Sequence, residues 1–183
     1  MRKGVNKLSI EYMQLDNLFD YTGFYGPNIL FVISLIVLRN NLNLMLIYIV
    51  GFVVNILLNY ILKGIFQQPR PTDETHLFQM EQLYRKQIGF DRYGMPSGHA
   101  QMVLYSTAFI HYAFNNIKLT SLYLIISLNT LYQRVKYNNY TVFQVLVGSL
   151  LGFLVGFSFY SWGEKYLKGI LKAKIDDGHK YNR

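Results

Sequence analysis

Apolar residues occur along this chain in long uninterrupted runs that are separated by polar links. Two of these runs, residues 42–62 and 141–162, extend for about 21 residues each without a charged side chain. A helix rises about 1.5 Å per residue, so about 20 helical residues cross the roughly 30 Å hydrocarbon core of a bilayer. Both runs are therefore predicted to be membrane-spanning helices.

Three weaker apolar segments, residues 21–38, 97–114 and 119–132, have a similar pattern. Short spans are tolerated where neighbouring helices shield them or where the bilayer thins locally. The short polar links at 40–41 and 115–118 suit turns between antiparallel helices. The pattern predicts an all-α integral-membrane bundle of about five transmembrane helices.

The segments on either side of this bundle have a different pattern. Leu8, Tyr12, Leu15 and Phe19 recur at helical spacing, which predicts an amphipathic helix lying on the membrane surface. The expected division of the chain is an amphipathic segment at 1–20, a membrane-embedded domain at 21–163 and a basic tail at 164–183.

One link is far longer than the others. Residues 64–96 form a polar connection of 33 residues, in which Leu77, Met80 and Tyr84 are spaced for a short amphipathic helix. A loop of this length in a compact domain is usually functional or disordered. Counting spans places this link and residues 133–144 on the same side of the membrane.

The charge distribution narrows the classes of partner. The net charge is +8 and the pI is near 9.5, but the lysines and arginines flank apolar runs instead of forming one basic face. They indicate contact with anionic lipid and not with nucleic acid. The absence of cysteine excludes disulfides and cysteine–metal sites. The cations outside the polar clusters are nearly balanced between the two sides, so charge leaves the orientation and the identity of the membrane open.

Three polar clusters are expected to meet on the side that carries the long link. Lys63 ends the second span and Arg70 follows seven residues later, residues 94–99 (GMPSGH) open the third span, and Arg134 follows the fourth. A lysine and two arginines supply point-charge and bidentate contacts to phosphate oxygens. Each alone is also an ordinary cation at a membrane edge, as is Lys136, so only the combined spacing favours a phosphate site.

The second cluster adds groups that suit phosphate chemistry. Ser97 and Gly98 stand at a predicted helix start, where unpaired backbone N–H groups bind anions, although Pro-Ser-Gly is also an ordinary helix start. His99 follows directly and can give or take a proton near neutral pH. The sequence predicts a phosphoryl site with its own acid.

Lys-x6-Arg-Pro at 63–71 and Pro-Ser-Gly-His at 96–99, followed by a third arginine motif, resemble the type 2 phosphatidic acid phosphatase superfamily. This superfamily includes lipid phosphate phosphatases, isoprenoid-pyrophosphate phosphatases and vanadium haloperoxidases. The resemblance covers roughly residues 43–157, and LNYILKGIFQQPRP is most similar to the dolichyl-pyrophosphate phosphatase branch. It implies that a phospholipid or a polyprenyl phosphate or pyrophosphate is the partner and that hydrolysis needs no metal or other cofactor.

The resemblance also implies roles for individual residues. His99 is expected to protonate the leaving group as general acid. The residues expected to hold the phosphate are Lys63, Arg70, Ser97, Gly98 and Arg134.

The third motif departs from the family pattern, which is Ser-Arg, five residues, His, three residues, Asp. After Arg134 this chain has Tyr140 at the position of the nucleophilic histidine and Gln144 at the position of its orienting aspartate. The glycines that follow in the family fall in place here, which supports this register. They form a small-residue face suited to close helix packing: Gly148, Gly152 and Gly156.

Both changes affect the chemistry. A phenol with a pKa near 10 is mostly protonated, and glutamine cannot act as a base. The open alternatives for a nucleophile are Tyr140 itself, water or another histidine. His111 lies about 18 Å along the helix from His99 and is out of reach. His76 in the long link is the remaining substitute, although a solvated loop histidine is the simpler interpretation.

Three hypotheses result. In the first, the protein is a pseudoenzyme that binds lipid phosphate or pyrophosphate with weak or no turnover. In the second, it is an active lipid phosphatase or diphosphatase that uses His76, Tyr140 or water as nucleophile. In the third, it is a structural membrane protein with relic motifs. The survival of six phosphate-site residues disfavours the third, and the loss of both the nucleophile and its aspartate favours the first.

Overall fold

The computed structural model of the protein describes residues 17–71 and 89–180, with side chains described for 19–71 and 89–168. All regular structure within these ranges is helical, which confirms the all-α prediction. A 3-10 helix, Gly89–Arg92, precedes the fourth of the α-helices. These are α1 (Asn17–Phe24), α2 (Gly26–Leu38), α3 (Leu42–Phe66), α4 (Gly98–Phe114), α5 (Ile117–Lys136) and α6 (Val142–Lys180).

Asparagine residues mark helix ends at both predicted short links. Asn41 precedes α3, and its side chain accepts a hydrogen bond from the backbone N–H of Leu44 at 3.1 Å. Asn115 follows α4 in a left-handed conformation with φ of 45°, and the side chain of Asn116 caps the start of α5. Asparagine is favoured at both kinds of helix end. The two links therefore join consecutive helices, as predicted.

Two helical segments are long and apolar enough to cross a membrane, namely Leu42–Phe66 and Val142–Lys168. In the most apolar 18-residue stretch of each helix, only 33% and 28% of the residues are buried. Side chains such as Leu57 and Leu150 are therefore exposed. Exposed apolar surface of this kind favours a membrane surrounding over the core of a soluble protein. The other three predicted spans correspond to α2, α4 and α5, which fall short in length or apolarity, so the count of five spans stays a prediction.

Helices α4 and α6 pack at very close range along the predicted small-residue face. Gly148, Gly152 and Gly156 lie against the backbone of α4 at successive turns. A Cβ atom on any of them would overlap a carbonyl oxygen, that of Ser97, Gln101 and Tyr105 respectively. The absence of side chains is what allows the two helix backbones to approach, as glycine does in closely packed helices. This contact fixes the start of α6 beside the start of α4.

A buried amide network joins α3 to α4. The Asn59 amide donates to Gln101 Oε1 at 2.8 Å and to the Pro96 carbonyl at 3.2 Å, and the Gln101 amide donates to Asn55 Oδ1 at 2.8 Å. Buried amides with satisfied partners hold helices in one register. Lys63 lies one turn beyond Asn59 on the same face of α3, so the network turns Lys63 inward toward the start of α4.

The N-terminal helix α1 packs on α5. Asp20 is buried, and its carboxylate is bonded to the Tyr137 hydroxyl and, at 3.3 Å, to the Lys136 ammonium. The Asn129 amide donates to the Phe19 carbonyl at 2.8 Å. The helix therefore crosses residue 20, where the sequence pattern suggests a boundary, and α6 likewise runs past residue 163 without a break.

Some expectations fall on other parts of the chain. The predicted surface helix before residue 17, the predicted helix at 77–84 and the candidate nucleophile His76 lie outside the described residues.

Candidate functional site

Lys63 lies in the last turns of α3 with only 2% of its side chain exposed. Its ammonium forms an ion pair with the carboxylate of Asp91 in the 3-10 helix. A lysine this deeply buried requires a charged or polar partner. The pairing therefore brings the end of α3 and the end of the long link to one point.

Arg70 also contacts Asp91. It lies in the irregular segment that directly follows α3. Its Nη2 donates to the Asp91 carbonyl at 2.9 Å and lies 3.9 Å from the Asp91 carboxylate. Burial raises the pKa of the Asp91 carboxyl, but the charge and hydrogen bond of Lys63, with the charge of Arg70, outweigh burial and hold that pKa below its usual range. Two of the predicted phosphate-binding cations thus converge on one carboxylate.

The position of Asp91 is set by its neighbours in the 3-10 helix. The ring of Phe90 packs on Tyr60 with centroids 5.2 Å apart, and a Cβ atom on Gly64 would lie 2.8 Å from the Phe90 ring. Gly89 has φ of 65°, a conformation that glycine adopts without strain. These contacts attach the 3-10 helix to α3 one residue beyond Lys63, and so deliver the carboxylate to the ammonium.

The Pro-Ser-Gly-His segment begins α4, as its sequence indicates. The Ser97 N–H donates to the Gln144 carbonyl at 3.1 Å, which ties the start of α4 to the start of α6. Within the described ranges the buried Ser97 hydroxyl has no hydrogen-bond partner, and neither does Arg70 Nε. Buried polar groups nearly always form hydrogen bonds. A buried polar atom without a partner in the protein therefore suits a place where a ligand or water binds.

His99 stands among the cations of the site. Its charged neighbours are Arg134, Lys63 and Arg70. The imidazole is also hydrogen-bonded to the backbone of Phe24 in α1, and its ring centroid is 5.9 Å from that of the Phe24 ring. The structure thus places His99 between the three predicted cations and the N-terminal helix.

Arg134 is buried near the end of α5, with 2% exposure. Its Nε donates to Gln133 Oε1 at 2.6 Å, and its guanidinium lies 5.1 Å from the centroid of the Phe24 ring. Its carbonyl accepts from the N–H of Tyr140 at 3.3 Å, which closes the turn between α5 and α6. The structure therefore brings all three predicted clusters together.

Tyr140, at the nucleophile position, lies beneath two of these cations. Its ring centroid is 4.7 Å from the Arg70 guanidinium and 6.0 Å from the Lys63 ammonium, and the residue is 4% exposed. A cation over an aromatic face is attracted to the ring itself. The ring therefore contributes to holding Arg70 and Lys63 in place.

Gln144, at the aspartate position, is fully buried and engaged at both ends of its amide. Its side-chain Oε1 accepts a hydrogen bond from the backbone N–H of Thr141 at 3.1 Å, and the backbone N–H of Gln144 donates to Thr141 Oγ1 at 3.2 Å. This is the reciprocal pattern of a capping box. Its Nε2 donates to Gln68 Oε1 at 3.1 Å and to the Pro69 carbonyl at 3.0 Å. Gln144 thus helps to cap the start of α6 and anchors the segment that leads to Arg70.

The arrangement has the chemistry of an anion site. One region is surrounded by a lysine, two arginines, an imidazole and a hydroxyl without a hydrogen-bond partner in the described chain. These groups suit the oxygens of a phosphate group. In the part of the chain that the structure describes, no group of three or more histidine, aspartate or glutamate side chains could hold a metal ion. His111 is near the opposite end of α4, where its Nδ1 lies 3.1 Å from Thr120 Oγ1.

Three contributors, Thr141, Asp91 and Phe24, were not identified from the sequence. Thr141 and Gln144 match the Thr-x-x-Gln form of the capping box, a signal that is readable in the sequence. Asp91 is the acid nearest before Pro-Ser-Gly-His, which is a weak signal. Phe24 has no sequence signal, since only the packing of α1 on α5 brings it to the site.

Comparison with known proteins gives one match. The family model of the PAP2 superfamily matches residues 44–168, a range that includes every predicted site residue. Searches of curated proteins and of solved structures return no match. Since the family model covers more than half of the chain, this protein belongs to the PAP2 superfamily.

Proposed function

We propose that this chain is an integral membrane protein that binds the phosphate or pyrophosphate group of a lipid, with weak or no turnover. The observation that carries the proposal is that Lys63 and Arg70 converge on the carboxylate of Asp91 beside His99 and Arg134. Two cations already hold one anion there, and the same donors suit phosphate oxygens. The lipid is a phospholipid or a polyprenyl phosphate or pyrophosphate.

The place of the site in the bundle supports a lipid as ligand. Lys63 is near the end of α3, Ser97 precedes α4, Arg134 is near the end of α5 and Thr141 precedes α6. These ends lie together at one end of the helical bundle. If α3 and α6 span a membrane, the site lies at the level of the lipid head groups. A topology of five spans likewise puts these helix ends on one side of the membrane.

Weak turnover is proposed because both positions for nucleophilic chemistry carry other groups. Tyr140 carries a phenol in place of the imidazole, and Gln144 cannot accept a proton or support a cation as aspartate does. Gln144 also uses its amide to cap α6 and to bind residues 68–69. Loss of a nucleophile and its orienting group lowers rates by several orders of magnitude.

An active lipid phosphatase is the second candidate, and one observation favours it. His99, the expected general acid, remains among the cations of the site. In this case His76, Tyr140 or water attacks phosphorus. A purely structural role is disfavoured because Lys63, Arg70, His99 and Arg134 lie together at one place, which a protein without an anionic ligand would not need.

The test uses the full chain in detergent micelles with short-chain phosphatidate and farnesyl pyrophosphate. Calorimetric titration is expected to show saturable binding of these lipids and none of short-chain phosphatidylcholine, whose phosphate is a diester. Inorganic phosphate release is expected to remain at the level of His99→Ala. Equal binding of phosphatidylcholine contradicts phosphate recognition, and phosphate release far above the level of His99→Ala contradicts weak turnover.

A paired variant tests the reason for weak turnover. Tyr140→His with Gln144→Asp restores the family's nucleophile and aspartate. The double variant is expected to release phosphate at least about tenfold faster than the wild type, given the size of the effects that these groups have. If the wild type already matches the double variant, the active-phosphatase candidate replaces the proposal.

A further inference from the structure

Helix α1 brings an aromatic residue to the site from outside the region that matches the family. Phe24 precedes residue 44, where the family match begins. Its ring lies 5.9 Å from the His99 ring and 5.1 Å from the Arg134 guanidinium, measured to its centroid. Its backbone is also hydrogen-bonded to the His99 imidazole. One residue therefore contacts the expected acid and one of the expected phosphate-binding cations.

The position of Phe24 is fixed by the way α1 packs. At the start of the helix, Asp20 is buried against Tyr137 and Lys136. Next to Phe24, a Cβ atom on Gly23 would lie 2.7 Å from Gln133 Cβ, so the backbone of α1 approaches α5 closely there. The contacts of Asp20 and Gly23 both lie within the last helical turn before Phe24, and they hold its ring beside Arg134.

Both contacts restrict the orientation of a functional side chain. A main-chain carbonyl that accepts from an imidazole keeps one ring nitrogen as a donor and leaves the other nitrogen for a ligand. An aromatic face beside a guanidinium limits the planes that the guanidinium can adopt. Neither effect requires Phe24 to touch the ligand.

From these contacts we propose that Phe24 is a positioning residue of the phosphate site, whose ring orients both Arg134 and His99 and whose backbone also bonds to His99. The inference rests on the proposed function, because it concerns how that site is arranged. It makes α1 a part of the site, although α1 lies outside the matched PAP2 region.

The test compares two identical substitutions on one helix. Phe24→Leu removes the ring from the site, whereas Phe19→Leu removes a ring that is 73% exposed. Phe24→Leu is expected to weaken binding of short-chain phosphatidate about tenfold, the effect of losing a partly desolvated cation–aromatic contact. Phe19→Leu is expected to leave the dissociation constant unchanged, and Phe24→Tyr, which keeps the ring, is expected to restore wild-type binding.

A spectroscopic measurement separates this inference from the proposed function. In full-length protein labelled with ¹⁵N-histidine, Phe24→Leu is expected to shift the His99 imidazole signals, assigned with His99→Gln, and to leave those of His111 unchanged. If the wild type binds no phosphate but His99 shifts, the proposed function fails and the positioning role stands. Unchanged His99 signals and unchanged binding in Phe24→Leu overturn the inference, as does an equal loss of binding in Phe19→Leu.

Discussion

Residues 63–99 and residues 133–144 each contribute to the site, but they use their side chains differently. In the first segment, here called the binding segment, Lys63 and Arg70 meet at Asp91, and the Ser97 hydroxyl has no bond within the described chain. In the second, here called the turn segment, Tyr140 packs beneath cations and Gln144 caps a helix.

The two segments thus differ in what their side chains contact: Lys63 and Arg70 meet the carboxylate of Asp91, whereas Tyr140 and Gln144 pack against or bond to neighbouring residues. The binding segment has every residue that the family resemblance requires there. Within the described chain, Ser97 Oγ and Arg70 Nε have no hydrogen-bond partner. In the turn segment, Tyr140 and Gln144, at the positions predicted for the nucleophile and its aspartate, form contacts within the protein. Under the proposed function, these two positions support the binding residues and do not perform chemistry.

The largest expected effect is a loss of binding in the binding segment. Arg70→Ala removes a guanidinium that can form charge-assisted hydrogen bonds worth about 1.5–3 kcal/mol. We expect binding of short-chain phosphatidate to become about 100-fold weaker in calorimetric titration.

Arg92→Ala is the matched control for Arg70→Ala. Arg92 lies in the 3-10 helix beside Asp91, but its guanidinium stacks on Tyr93 at 4.7 Å. The control is expected to bind within about twofold of the wild type, as most surface substitutions do. A similar loss in both variants would mean that general positive charge, and not the geometry at Asp91, binds the lipid.

In the turn segment the corresponding effect is expected on stability. Gln144→Ala removes the capping-box acceptor and the bonds to Gln68 and Pro69, and we expect a loss of about 2 kcal/mol in the free energy of unfolding. Gln144→Glu keeps an acceptor for the Thr141 N–H and is expected to lose roughly half as much. Denaturant unfolding in mild detergent measures both, and an unchanged midpoint in Gln144→Ala would show that the amide has no structural role.

Asp91→Asn also changes the binding segment, but unlike Arg70→Ala it is expected to strengthen binding. The ligand and the Asp91 carboxylate compete for Lys63 and Arg70, and removing the charge is expected to raise the affinity for phosphatidate about tenfold. The pKa of Asp91 is lowered by these cations. The competition therefore persists at neutral pH and ends only as the pH falls through the folded-state pKa.

The same shift predicts a pH dependence of stability. Because the folded-state pKa of Asp91 lies below its unfolded value, the stabilisation from the pair with Lys63 is fully present above the unfolded pKa. It is lost as the pH falls through the folded-state pKa, and Asp91→Asn is expected to lack this transition. Identical acid unfolding profiles of wild type and variant would contradict the pairing.

The smallest effect is expected for Tyr140→Phe. The ring that lies against Arg70 is kept, so phosphatidate affinity is expected to change by less than about twofold, whereas Tyr140→Leu removes the cation–aromatic contact and is expected to weaken binding roughly threefold. Phosphate release is the second measurement. Any release by the wild type that disappears in Tyr140→Phe would identify the phenol as the nucleophile.

The linear pattern of the chain predicted an all-helical fold, which the structure confirms, and it named Lys63, Arg70, Ser97 and His99 as candidate residues of the binding segment. Charge-free runs predicted α3 and α6, and the count of spans placed Lys63, Arg70 and His99 on one side of the membrane, where they were expected to meet. The glycines predicted the close contact of α6 with α4. These predictions depend on residues near one another in sequence, on a spacing that one helix imposes, or on the number of apolar runs.

The tertiary structure decided what sequence spacing cannot express. Asp91 and Phe24 reach the site through the packing of Phe90 on Tyr60 and of α1 on α5, contacts between residues that are distant in the chain. Sequence alone determined that Gln144 is not an acid, whereas only the structure showed that its amide caps α6 and binds residues 68–69. A residue's identity limits the chemistry it can perform, but the partners that surround it after folding decide which part of that capacity is used.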